Sequence, residues 1–279
     1  MTAPTPQKLM TVQSDDHVTL SVTVSGANSD TGFVFIHGIL QSALSWKYQL
    51  SAPELEGWKT VAYDLRGHGF SSKPVGTSHY ATGEVWARDL AAVILAAGLR
   101  RAILVGWSFG GRVMLDFLEN TAVRDRIAGL VFIDANTKNA PGHISDECMD
   151  VLGRTLSPDM AVNIASRRQF IEMCFEKAPH PNEIEEMVAY NNMTTPDVLA
   201  GMLGRPLDHD ETMRKIDCPT LVLHGAKDRL SLLRGGEHTA ATIPNAELIT
   251  LPGVGHMPQF EEPDTVNRAL QKFGEDHLI

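Results

Sequence analysis

Apolar positions along the chain follow two rhythms. Leu9 to Gln13 and Val18 to Val24 alternate apolar with polar residues across Ser14-Asp15-Asp16-His17, the pattern of an opening β-hairpin. Beyond the loop composition of Gly26-Ala27-Asn28-Ser29-Asp30 comes the continuous apolar run Phe33 to Ile36, followed along the chain by strand-like stretches at Trp58 to Asp64, Ala102 to Val105, Ile127 to Ile133, Pro219 to His224 and Ala246 to Leu251. The first reads as a strand buried on both faces, and the others as further strands of the same sheet. Thr82 to Ala97, Arg112 to Leu118, Ser231 to Thr242 and Glu261 to Phe273 carry apolar residues at helical spacing instead. Buried strands alternating with helices predict an α/β fold with a parallel sheet and right-handed crossovers. Between Asn136 and about Met213 the alternation stops, and only helical stretches occur. Seven of the chain's eleven methionines fall there: Met149, Met160, Met173, Met187, Met193, Met202 and Met213. The expectation is a core domain of residues 1–135 and 214–279, with residues 136–213 forming a helical cap over one edge of the sheet. Its methionines either roof an apolar pocket or pack the cap helices together.

Composition narrows the function classes without selecting one. A chain of 279 residues, 43% hydrophobic and 21% charged, is long enough for one large globular catalytic unit. A formal charge of -10 argues against nucleic acid and against anionic membrane surfaces as partners. Cys148, Cys174 and Cys218 lie far apart, without metal-ligand spacing, and an odd number cannot all pair. Met1 to Lys8 shows neither a signal-peptide core nor a transit-peptide pattern, so a reducing cytoplasm is the expected location.

The candidate chemistry centres on Gly106-Trp107-Ser108-Phe109-Gly110-Gly111, where the run ending at Val105 gives way to the helical pattern beginning at Arg112. A strand reversing into a helix over so few residues strains the apex, and glycines flank it because a Cβ would clash. Ser108 sits at the apex of this nucleophile elbow, G-x-S-x-G, and the Phe109 amide is left free at the new helix N-terminus. The alternative is a plain strand-turn-helix capped by serine. A serine nucleophile needs an imidazole oriented by a carboxylate. In a parallel sheet the loops after successive strands converge at one edge, which brings His256 and Asp228 toward Ser108 in the order Ser, Asp, His. Asp134, ending the run Ile127 to Ile133 at the same edge, is a rival acid. His37-Gly38-Ile39 follows a neighbouring strand and supplies a second oxyanion donor, the Ile39 amide. His37, Arg66 and His68 read as residues that fix tight loops near the site. Leu40, Trp107 and Met257, next in sequence to Ile39, Ser108 and His256, are the expected pocket residues, with core packing as the other role for Trp107.

His37-Gly38, Asp64-Leu65-Arg66-Gly67-His68-Gly69, the elbow, His224-Gly225-Ala226-Lys227-Asp228 and Gly255-His256-Met257-Pro258 together resemble the α/β-hydrolase family over nearly the whole chain. The resemblance implies a mostly parallel eight-stranded sheet flanked by helices, a helical cap inserted after the sixth strand, no cofactor or metal, and hydrolysis through an acyl-serine intermediate. The small esterases and the haloperoxidase-like or perhydrolase-like members are the most similar in pattern. Ser108 stands where haloalkane dehalogenases and epoxide hydrolases carry Asp. Leu40 stands where haloperoxidase-like members often carry proline, and Met257 where carbon-carbon bond hydrolases commonly carry Trp. The expected activity is hydrolysis of small to medium, largely apolar carboxylic esters. Lactone, amide or diketone cleavage, perhydrolysis, and a non-catalytic small-molecule receptor are the alternatives. The expected partner is a small-molecule ester, and the oligomeric state is open.

Overall fold

The computed structural model describes residues 7–278. Residues 1–6, which carry most of the reading about a leader, lie outside the described residues. Eight strands form one sheet: β1 (Lys8–Gln13), β2 (Thr19–Gly26), β3 (Thr31–Ile36), β4 (Lys59–Tyr63), β5 (Arg101–Trp107), β6 (Ile127–Ile133), β7 (Thr220–Gly225) and β8 (Glu247–Leu251), in the order β1-β2-β4-β3-β5-β6-β7-β8. The opening hairpin joins antiparallel to β4, and every pair from β4 onward is parallel.

Burial explains this order. Phe33, Val34, Phe35 and Ile36 are fully buried, as two-sided apolar runs must be, so β3 sits inside the sheet. β1 keeps only Val12 buried and takes an edge. Helices α1 (Gly83–Ala96), α2 (Phe109–Asn120), α7 (Leu233–Thr242) and α8 (Pro263–His277) cover the faces. Between β6 and β7 the chain forms α3 (Asp146–Arg154), α4 (Met160–Met173), α5 (Pro181–Asn191) and α6 (Pro196–Leu203).

Two features of the topology position the site. The chain leaves β3 toward β4 on one side and returns to β5 on the other, so the carboxyl ends of β3 and β5 flank a switch-point crevice where backbone groups stay unpaired. Registers Ile36↔Gly106, Trp107↔Ile133 and Gly225↔Leu251 bring the ends of these strands level. The inserted helices are also tied down: Lys47 pairs with Glu183 at 2.8 Å, Tyr48 donates to the same carboxylate at 2.7 Å, and the Gly76 amide donates to Asp197 at 2.9 Å. Among the described residues, no helix is long and apolar enough to cross a membrane.

Candidate active site

β5 passes into α2 through Ser108, which has φ 52° and ψ -115°, a conformation an L-residue holds only under constraint. The constraint is close packing. A Cβ on Gly110 would lie 2.2 Å from the Ile36 carbonyl oxygen, and one on Gly106 would lie 2.7 Å from the Gly110 carbonyl. With both glycines in place the Ser108 amide still donates to Ile133 at 2.9 Å, and the side chain stands clear of the sheet edge.

His256 follows β8 in a loop held from two sides. Its amide donates to Cys174 at 2.8 Å, and its carbonyl accepts from the Trp107 indole at 2.6 Å. Glu261 adds a further clamp, accepting from the amides of Gly255, Glu176 and Lys177 at 2.8, 3.2 and 2.9 Å. Held so, the imidazole places Nε2 3.0 Å from Ser108 Oγ and Nδ1 2.6 Å from Asp228 Oδ2. The other Asp228 oxygen, Oδ1, accepts from the amides of Leu230 and Ser231 at 2.7 and 3.0 Å, which aims Oδ2 at the ring. The carboxylate therefore accepts a hydrogen bond from Nδ1–H, which stays on the ring, and Nε2 presents its lone pair to the serine hydroxyl.

Asp134, the rival acid, does not make this contact. Its Oδ1 accepts from the Gly225 amide at 2.8 Å, and burial together with the charge of Asp228 holds its carboxyl well above the usual carboxylate range. The contact with the imidazole is thus left to Asp228. His224 lies beside both acids, donates Nε2–H to the Ser231 carbonyl at 2.8 Å, and is kept neutral by burial.

The Ile39 and Phe109 amides, one after β3 and the other opening α2, border the same space, and neither has an acceptor among the described residues. Donors left unpaired beside a nucleophile are what an oxyanion hole requires. The loop carrying Ile39 rests on two histidines. His37 accepts from the Leu65 amide at 2.9 Å through Nε2 and donates Nδ1–H to the Gly38 carbonyl at 2.7 Å. His68 accepts from the Leu40 amide at 3.2 Å and donates to the Arg66 carbonyl at 3.0 Å. Arg66 is buried against Asp89, with two contacts of 2.7 Å, and against Asp16. None of the three lines the space above Ser108.

Both imidazoles accept from backbone amides, so both must stay neutral. Burial holds His37 well below its ordinary range and lowers His68 from 6.5 to about 4. Above pH 6.5 neither the folded nor the unfolded chain protonates His68. Below it, only the unfolded chain does, so stability falls between pH 6.5 and about 4. At pH 5 the contribution of His68 to that fall is about 2 kcal/mol. Urea unfolding at pH 7.5 and pH 5.0 measures it, and His68→Asn should shrink the difference; an undiminished difference contradicts the assignment.

The cavity above Ser108 has a volume of about 50 Å³. Ile39, Phe109, Ile144, Leu152, Phe170, Leu203 and Leu230 give it apolar walls, and Arg112, Asn136, Cys148 and Ser231 complete the lining with Ser108 and His256. Three expected pocket residues are absent from this wall. Trp107 belongs to β5, lies buried beneath the elbow and clamps the His256 carbonyl; Leu40 turns into the core with φ 63°; Met257 is fully buried below its loop. Side chains alternate along a strand or turn, so the neighbours of a functional residue face away from it. The methionines do not roof the cavity either: Met149 and Met160 are exposed, Met193 is half-buried, and Met173, Met187, Met202 and Met213 are buried in the core. Sequence reading passed over Arg112, Asn136, Cys148 and Glu261. Arg112 alone left a signal: a cation in the opening turns of a helix opposes the helix dipole.

Comparison with known proteins finds relatives along nearly the whole chain. A family model described as the alpha/beta hydrolase family matches residues 33–269. A bifunctional esterase/perhydrolase from Acinetobacter calcoaceticus is 28% identical over 266 residues, covering 86% of this chain and 90% of its own. A non-heme haloperoxidase from Rhodococcus erythropolis is 30% identical over 264 residues, with 86% and 90% covered. The crystal structure of the esterase RhEst1 from Rhodococcus sp. ECU1013 superposes with a TM-score of 0.85 at 30% identity, over 95% of this chain and 98% of that one.

Proposed function

From the premise that this chain belongs to the alpha/beta hydrolase family, we propose that it hydrolyses carboxylic esters of small to medium acyl groups through an acyl-serine intermediate. The observation that carries the reading is the unbroken series Ser108 Oγ, His256 Nε2, His256 Nδ1 and Asp228 Oδ2, with contacts of 3.0 and 2.6 Å, beside two unpaired amides. Ser108 attacks the ester carbonyl as its proton passes to His256 Nε2, and the Ile39 and Phe109 amides take the oxyanion. Asp228 stabilises the imidazolium, which returns the proton to the departing alcohol. Water then enters, loses a proton to the same nitrogen, attacks the acyl carbonyl, and leaves as part of the acid while Ser108 recovers its hydrogen. Helices α3 to α6 cap the site, and the narrow cavity beneath them limits the acyl group.

Relatives named for perhydrolysis and haloperoxidation make that chemistry the second reading. The oxyanion loop favours simple hydrolysis. Leu40 has φ 63°, which proline cannot adopt, and it donates its amide to His68, which proline cannot do. The loop is therefore of a different kind from one with proline after the oxyanion residue. The test is reaction with a fluorophosphonate, followed by peptide mapping, beside turnover of p-nitrophenyl acetate and butyrate. Stoichiometric modification of Ser108 with turnover is expected. An unmodified Ser108 under conditions that modify a standard serine esterase counts against the proposal and for a receptor.

A further inference from the structure

We propose that the cavity above Ser108 selects substrates bearing a carboxylate a few bonds from the scissile carbonyl, held by the guanidinium of Arg112; this deepens the ester-hydrolase reading and rests on it. Arg112 lies on α2 four residues after Ser108, just over one helical turn or about 6 Å along the axis, and lines the same cavity. Its Nε donates to the Asn136 carbonyl at 3.3 Å, and the Phe109 ring lies 5.5 Å from its Cζ. Its two terminal nitrogens have no acceptor, and no carboxylate lies within ion-pair distance, among the described residues. The nearest acid along the helix, Asp116, is already paired with Arg205 at 2.5 Å.

Other arginines of the interior are provided for. Arg66 has two carboxylates, and Arg167 meets the Asn163 side chain and the Asn191 carbonyl at 2.7 Å each. Arg112 itself is half-buried, and the two terminal nitrogens of its fork are free to take an anion that enters the cavity. Burial and the neighbouring Arg205 lower the Arg112 pKa to about 10, so the charge remains at neutral pH. Two more polar groups share the cavity without protein partners: the Asn136 side-chain amide and the Ser231 hydroxyl, 5% and 4% exposed. A cation with two parallel donors, flanked by an amide and a hydroxyl, matches a carboxylate in geometry and charge. Apolar walls at Ile144, Leu152 and Phe170 suit the short methylene chain between that carboxylate and the ester. The substrate class is the monoester of a short dicarboxylic acid, whose acyl half keeps the free carboxylate.

The decisive comparison is kcat/KM for mono-p-nitrophenyl glutarate, corrected for spontaneous hydrolysis, against p-nitrophenyl valerate, its neutral counterpart of equal chain length. Wild type should favour the anion by about tenfold or more, and Arg112→Met should lower that ratio by about 10–100-fold, with partial recovery in Arg112→Lys. Binding of monomethyl glutarate to Ser108→Ala, followed by calorimetry with and without Arg112→Met, separates recognition from chemistry. Binding that depends on Arg112 when neither ester turns over supports the carboxylate site and overturns ester hydrolysis. Turnover of both esters with a wild-type ratio near one, or with a ratio that Arg112→Met leaves unchanged, overturns the carboxylate site and leaves ester hydrolysis standing. Should Arg112→Met not fold, the wild-type ratio and the binding of monomethyl glutarate to Ser108→Ala decide the matter alone.

Discussion

Ser108→Ala lowers kcat on p-nitrophenyl butyrate by about 10⁵-fold or more, while KM moves by less than about threefold. The size of the loss follows from what else the cavity offers. Cys148 is the other nucleophilic side chain in its wall, and burial pushes that thiol up to about 12, so it stays protonated and inert at neutral pH. His256 keeps its lone pair, but without the hydroxyl it can only activate water directly, and no covalent intermediate divides the barrier. His256→Ala should cost about as much, and the double variant little more, because the hydroxyl and imidazole act through one 3.0 Å contact. The residual rate then reports the Ile39 and Phe109 amides alone. Alanine inherits the backbone strain that serine bears at φ 52°, so the variant should melt within a few degrees of wild type. Steady-state rates with circular dichroism melts check both points; a Ser108→Ala enzyme keeping a few per cent of wild-type kcat would place the nucleophile elsewhere.

The sheet was legible because burial on both faces leaves a coarse mark. A run such as Phe33 to Ile36 suits a two-sided strand and little else, and once further strand-like stretches alternate with helices, a parallel sheet places all their exits along one edge. That edge brought Ser108, Asp228 and His256 into one neighbourhood by strand order alone. Which way each side chain turns was not legible. Trp107 lies next to Ser108 yet faces the core, because successive strand residues point to opposite faces. Leu40 needed a left-handed turn to present Ile39, and no residue type in His37-Gly38-Ile39-Leu40 announces one outside glycine. The methionines misled because helical spacing records that a face is buried, without recording against what. Asp134 and Asp228 follow adjacent strands at the same edge, so strand order favoured Asp228 but left Asp134 as a rival. Only the amides of Gly225 on one side, and of Leu230 and Ser231 on the other, separate their roles.

That division of backbone amides sets up the second large effect. Asp228→Asn is expected to lower kcat by roughly 10⁴-fold although it removes no heavy atom. The Leu230 and Ser231 amides converge on one carboxylate oxygen at 2.7 and 3.0 Å, so the asparagine must place its carbonyl oxygen, its sole acceptor, at that position. The NH₂ group then occupies the other position, 2.6 Å from His256 Nδ1, and points a hydrogen at it. The imidazole answers by carrying its own proton on Nε2, where it donates to the Ser108 hydroxyl instead of accepting from it. The base is present, in place and unable to act. Asp134 offers no relief, since its Oδ1 is engaged by the Gly225 amide and burial beside Asp228 disfavours its charged form. Fluorophosphonate modification of Ser108 should slow in parallel with kcat, because both need the same proton removed. An Asp228→Asn enzyme keeping more than a tenth of wild-type kcat and reacting with the probe at the normal rate would show that Asp228 does not set the tautomer.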